Sequence, residues 1–199
     1  GQRAEYLRGW FLEEGLSDVS LDAAGNVFGR LPGGDAPALV VSAHLDTVFP
    51  PEEEARNNFH WQVEGDRIFG PGTHDIKGGT VMMWLVLQAL RTHAPATFAA
   101  TTWKLLLNSS EEMYSPDFGD VCRAQCDANT LGALVFESEG RLGNEHLMVV
   151  ARKGRATWRV TATGRGAHAG GKLSHGANAV VQLAQRLPRI AALTDYSRD

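Results

Sequence analysis

The feature that most constrains the fold is a set of three near-continuous apolar runs, Ala38 to Ala43, Trp103 to Leu107 and Leu131 to Phe136. A strand wet on one face alternates apolar and polar residues, whereas a strand covered on both faces of a sheet reads as an unbroken apolar run. Helical patterns lie between these runs: Lys77 to His93, with Val81, Trp84, Leu85 and Leu87 in its body, and Ser115 to Ala128. The order strand, helix, strand, helix, strand predicts a three-layer α/β sandwich with parallel strands and crossover helices.

The flanking segments fit around that unit. Ala4, Leu7, Trp10 and Phe11 at helical spacing predict a helix over residues 3–14, stopped by Gly15. Val19 to Leu21 and Val27 to Leu31 read as short strands about the turn-forming Gly25-Asn26, before the breaker Pro32-Gly33-Gly34. After Arg152-Lys153-Gly154 the texture changes. Ala156 to Thr163 alternates as a half-exposed strand does, and an apolar helix is expected from about Gly176 to Ala192. A boundary near residue 153 divides the chain into a domain over 1–152 and the beginning of a second over 153–199.

Composition narrows the function classes. With 199 residues, 43% hydrophobic content and 21% charged content, the chain can bury a sizeable core. The 19 Lys and Arg against 23 Asp and Glu form no basic block, so a nucleic-acid partner is not expected. The longest apolar stretch, Val81 to Leu87, is far shorter than the roughly 20 residues that span a bilayer, so no membrane association is expected. Cys122 and Cys126, four apart on an expected helix, read as two reduced, partly buried thiols, which points to a cytoplasmic location. The first residue is Gly1 rather than Met, so the start of the natural chain can lie further upstream.

In open parallel sheets the ligand site lies beyond the carboxyl ends of the strands. The first run leads into His44-Leu45-Asp46, the second through Asn108-Ser109-Ser110 into Glu111-Glu112, and the third into Glu137. Between the first two lies Gly70-Pro71-Gly72-Thr73-His74-Asp75-Ile76-Lys77-Gly78-Gly79, a glycine-rich loop with an acid just before a helix. One imidazole with several carboxylates and no paired thiolates suits Zn²⁺, Co²⁺ or Mn²⁺. A carboxylate shared by two such ions about 3.5–4 Å apart lets the pair acidify a water and polarise a carbonyl. A further carboxylate can carry the water's proton to the leaving amine. Which of Glu111 and Glu112 would do so is not decided by the residues alone.

Ser42 to Val48, Gly70 to Gly79 and Ser110-Glu111-Glu112 resemble, in order and spacing, three signature segments of the aminoacylase, glutamate carboxypeptidase, dipeptidase and acyl-amino-acid deacylase family. The resemblance implies a two-zinc amide hydrolase with a zinc-exopeptidase-like catalytic domain. It implies that His44 and Glu137 bind one metal, Glu112 the other, and that Asp75 bridges both. Glu111 would be the general base and acid, and Asp46 would hold the His44 imidazole in its metal-binding tautomer. Arg152-Lys153-Gly154, Gly164 to Gly170 and Gly176 to Ala179 are similar to the start of the family's inserted ferredoxin-like lid, which often mediates dimerisation. His168 would then support a developing oxyanion in a partner subunit's site.

The expected substrate is a dipeptide or N-acyl amino acid, cleaved at an amide next to a free carboxylate by a homodimer. Val48-Phe49-Pro50 with Trp61 suggests an apolar wall to the pocket. Family members run to roughly twice this length. Their last metal-binding His lies in a returning portion of the catalytic domain that these residues do not include. His74 is a conceivable substitute, and a catalytically inactive fragment or binding module is the alternative.

Overall fold

The computed structural model of the chain describes residues 1–138, 140–151 and 157–195. In chain order the elements are α1 (Gln2–Glu13), β1 (Ser17–Leu21), β2 (Val27–Leu31), β3 (Ala36–His44), α2 (Pro51–Arg56), β4 (Gln62–Glu64) and β5 (Arg67–Phe69). There follow α3 (Gly78–His93), α4 (Pro95–Ala100), β6 (Thr101–Asn108), α5 (Pro116–Gln125), β7 (Thr130–Val135), β8 (Gly140–Leu142), β9 (Glu145–Leu147) and α6 (Ala179–Ala191). Two compact units emerge, Gly1–Met148 and Val149–Asp199. The boundary expected near Lys153, with its Arg152-Lys153-Gly154 segment, lies outside the described residues.

The main sheet has the order β1-β2-β6-β3-β7 among the described residues. β3 runs parallel to both β6 and β7, while β1 and β2 add an antiparallel hairpin beside β6. The hairpin forms where expected because Asp22 organises the turn. Its carboxylate accepts from the Asn26 backbone and side-chain amides, both at 2.8 Å, and Gly25 supplies a positive φ of 96°.

One sheet face carries Val41, Ala43, Trp103, Leu105 and Leu107, packed with Phe11 of α1 and with Met83 and Leu87 of α3. Trp10 and Trp84 meet edge-on at 4.5 Å, tying the two helices together. Each fully buried Leu or Phe in this layer contributes about 1.5–3 kcal/mol relative to exposure. On the other face Lys104 is buried, and its ammonium donates to the Gln125 carbonyl at the end of α5 and to Asp127 at 3.2 Å. That satisfied cation is why a lysine can interrupt an otherwise apolar strand.

Three expectations change. Among the described residues β7 is not covered on both faces: it stands at the edge of the sheet they form, and Leu131 is 74% exposed. An apolar run shows what a strand can bury, but its place in the sheet decides what is covered. Residues 157–163 form no strand, and Ala156 lies outside the described residues. A ladder needs a partner, and the isolated bridge nearby joins Arg165 to Ala177 instead. Cys122 sits half-buried on α5, but Cys126 is the first residue beyond that helix and is exposed, so the thiols do not share a helical face.

Candidate metal centre

Strand register brings the polar residues together. His44 stands opposite Asn108 of β6, and Ser42 stands opposite Val135 of β7. The Phe136 amide extends that ladder by donating to the Ser42 carbonyl at 2.8 Å, so Glu137 arrives beside His44. Its Oε2 lies 3.7 Å from His44 Nε2. The imidazole itself is almost fully buried, its side chain 2% exposed.

Asp75 comes from the loop over the strand ends. Gly72 adopts φ 66°, and a Cβ there would stand 2.4 Å from Thr47 Cγ2, so only glycine lets the loop turn this closely. Ile76 is buried and pins the loop into the core, and the Asp75–Ile76 peptide is cis. Asp75 Oδ1 sits 2.9 Å from His44 Nε2. At the start of α3, a Cβ on Gly79 would fall 2.4 Å from the Phe136 carbonyl oxygen, so this glycine allows the loop to lie against the end of β7.

Donor atoms of His44, Asp75 and Glu112 all lie within 4.8 Å of one another. Glu111 and Glu112 open a short 3₁₀ turn, Glu111–Met113, with the Glu111 side exposed and Glu112 half-buried. Asp46 grips that turn: Oδ1 accepts the Glu111 amide at 3.1 Å and Oδ2 accepts the Glu112 amide at 3.0 Å. The expectation for Asp46 was different. Its Oδ1 is 3.2 Å from His44 Nδ1, close enough for an ion pair, yet the alignment of a hydrogen bond is lacking and Nδ1 is left buried without one. The two amide bonds, aligned and charge-assisted, are the stronger contacts.

Sequence reading missed the residues that hold the β6 end loop. Asn26 Oδ1 accepts from the Ser109 amide at 3.0 Å, and Ser109 Oγ donates to the Ala24 carbonyl at 2.7 Å. Asn108 accepts from the Ser110 amide at 3.0 Å and donates to Ser115 Oγ at 2.8 Å. The Ser109 bonds to Asn26 and Ala24 join segments more than eighty residues apart and leave no local pattern, whereas the Asn108 bonds to Ser110 and Ser115 are local. Of the suggested pocket wall, Phe49 faces the metal-side cleft, whereas Trp61 lines neither that cleft nor the cavity beside it. His74 borders the same cleft with Asp75 and Glu112. His168 lies in the second unit, exposed, its Nδ1 accepting from the Gly170 amide at 3.2 Å.

The electrostatics mark a cation-seeking site. Burial pushes the His44 pKa down, but the Glu137 charge, the Asp75 hydrogen bond and the charges of Asp46 and Asp75 outweigh it, leaving it raised. Glu112 is raised above the usual carboxylate range by burial and then by Asp75, with Glu111 and Asp46 adding to it. Crowded carboxylates about a buried imidazole repel one another until a cation intervenes. One nitrogen and several oxygen donors, with no thiolate, fit Zn²⁺, Co²⁺ or Mn²⁺.

Comparison with known proteins identifies the family. The family model described as peptidase family M20/M25/M40 matches residues 40–187. Carboxypeptidase G2 of Pseudomonas sp. (strain RS-16) is 29% identical over 174 residues, 87% of this chain and 40% of that protein. A probable succinyl-diaminopimelate desuccinylase of Staphylococcus epidermidis is 27% identical over 179 residues, 80% of this chain and 38% of its own. An M20 family metallo-carboxypeptidase from Sulfolobus solfataricus superposes with a TM-score of 0.50 at 18% identity, over 67% of this chain and 31% of that one, a likeness of fold. The chain spans about two fifths of the length of these curated relatives. The matched stretch covers well over half of the 199 residues and contains His44, Asp75, Glu112 and Glu137. On that match the chain belongs to peptidase family M20/M25/M40.

Proposed function

We propose that the protein acts as a two-metal hydrolase of amide bonds next to a free carboxylate, in dipeptides or N-acyl amino acids, with zinc as the working metal. The observation that carries this reading is the convergence of His44, Asp75 and Glu112 donors within 4.8 Å at the strand ends, with Glu137 beside His44. In this reading His44 and Glu137 would hold one ion and Glu112 the other, with Asp75 serving as a ligand shared by both. The ions, when bound, acidify a water and polarise the scissile carbonyl.

The chain's own residues supply the rest. Asp46 fixes the Glu111–Glu112 turn by accepting hydrogen bonds from both backbone amides, which holds Glu112 with its donor in the cluster and leaves Glu111 exposed next to it in the chain. Glu111 takes a proton from the attacking water and delivers it to the departing amine. The segment over residues 153–199 begins a lid, from which His168 donates to the developing oxyanion across a homodimer. No helix among the described residues is long and apolar enough to cross a membrane. The unpaired Cys122 and Cys126 favour a reducing, cytoplasmic setting.

Elemental analysis and turnover on one preparation test the assignment. Glu111→Gln retains its metal and loses hydrolysis, whereas Asp75→Ala loses metal. A Glu111→Gln protein as active as the parent refutes the base. A metal ratio nearer one than two in the parent chain favours an incomplete second site, the alternative in which these residues bind metal without turnover.

A further inference from the structure

The cleft that holds Asp75 and Glu112 is narrow, about 180 Å³, and is bounded on one side by Phe49 and Gly70. Across those two residues lies a larger cavity of about 400 Å³ that shares both of them. It is built by the excursion between β3 and α3. Phe49 and Phe59 meet edge-on, their centroids 5.2 Å apart and their planes at 77°, and Phe69 of the β4–β5 hairpin adds a third ring. Phe59 and Phe69 stay 41% and 43% exposed.

The cavity also has a polar lining: Asn57, Asn58, His60 and Gln62 border it, and no Asp, Glu, Lys or Arg does. The His60 contacts are mutually consistent with one tautomer: Gln62 Nε2 donates to Nε2 at 2.7 Å, and Nδ1 then donates to the Asn58 carbonyl at 2.7 Å. With its amide nitrogen turned to His60, the Gln62 side chain keeps its carbonyl oxygen available to accept from a ligand. A slot lined by phenylalanine rings and amide side chains favours a planar group with a polar edge. Aliphatic groups bury area on the rings but lack the extra aromatic pairing, and charged groups find no counter-ion among the lining residues.

Resting on the hydrolase reading above, we propose that this slot is a specificity subsite for a neutral, planar aromatic group of the substrate. That group is carried on one side of the amide presented to Asp75 and Glu112. Phe59 and Phe69 sandwich its ring, and the Asn58–His60–Gln62 edge hydrogen-bonds any polar substituent.

The test uses the zinc-loaded chain and three amides: N-acetyl-alanine, N-benzoyl-alanine and N-acetyl-phenylalanine. At least one aromatic amide should exceed N-acetyl-alanine in kcat/KM by roughly tenfold, the worth of one good aromatic contact. Phe59→Ala should collapse that ratio, and Phe69→Leu should reduce it if the first variant fails to fold. A ratio near one in the parent, or one that survives both substitutions, overturns the subsite while leaving the hydrolase reading intact. If no amide is cleaved, the hydrolase reading fails for this chain, and calorimetric titration with benzamide then decides the slot. Benzamide binding that Phe59→Ala abolishes upholds it, and absence of binding to the parent overturns it.

Discussion

Asp46 is a carboxylate placed where two backbone amides need an acceptor, and Asp46→Asn is the sharpest way to test that. The native side chain gives one oxygen to Glu111 and one to Glu112, at 3.1 and 3.0 Å. Asparagine keeps one oxygen and turns an N–H₂ group toward the other amide, so one charge-assisted bond is lost, about 1.5–3 kcal/mol. Acting against this, removal of a negative charge eases ionisation of Glu112. Asp46 is the last and smallest of the influences on that residue, so the lost bond prevails. Because the turn carries a proposed ligand, zinc affinity should fall by about 10–100-fold, as for other residues that orient metal donors. A chelator-competition titration at fixed pH measures this, and amide hydrogen exchange at Glu111 and Glu112 should speed up in parallel. Unchanged affinity with unchanged exchange would refute the clamp. Loss of affinity with protected amides would instead return Asp46 to an action on His44.

Three further outcomes follow from the same geometry. His44 has a raised pKa in the metal-free protein, so its contribution to stability is complete below its unfolded value of about 6.5 and is lost as pH rises through the folded value. Melting curves in chelator should therefore decline above that pH, whereas zinc, which requires the neutral ring, should stabilise increasingly; parallel curves would contradict the clustering of carboxylates about this ring. Gly79→Ala places a methyl against the Phe136 carbonyl and should cost about 1–3 kcal/mol in denaturant unfolding, with weaker metal uptake, unless the loop can withdraw from β7. Asp127, its pKa lowered first by the Lys104 hydrogen bond, stabilises above the ordinary aspartate pKa of about 3.9 and loses that contribution as pH falls through the depressed folded value. Asp127→Asn should flatten that acid limb of the stability profile, and an unaltered limb would show that Lys104 relies on the Gln125 carbonyl instead.

Much was legible from residues alone because the signals were local. The near-continuous runs around Val41 and Leu105 read as central strands, and they became β3, buried from Val40 to His44, and β6, buried through its length. Gly15 and the Gly25-Asn26 turn punctuated the chain where their conformations require, although the Asp22 carboxylate that organises the turn showed only in the structure. Strand-end chemistry was equally readable, since parallel register delivers whatever follows each run to a common edge, and His44, Asp75 and Glu112 do meet there. What the tertiary structure alone decided was pairing between distant segments. Which strand takes the edge left β7 exposed despite its composition. The acceptor of the Glu111 and Glu112 amides proved to be Asp46, more than sixty positions earlier. Asn26 supports Ser109 across a separation of 83 residues, and the phenylalanine slot arises only where Phe49, Phe59 and Phe69 fold together. Propensity and periodicity act over a few residues, while hydrogen-bond direction and side-chain contact depend on coordinates that no single segment contains.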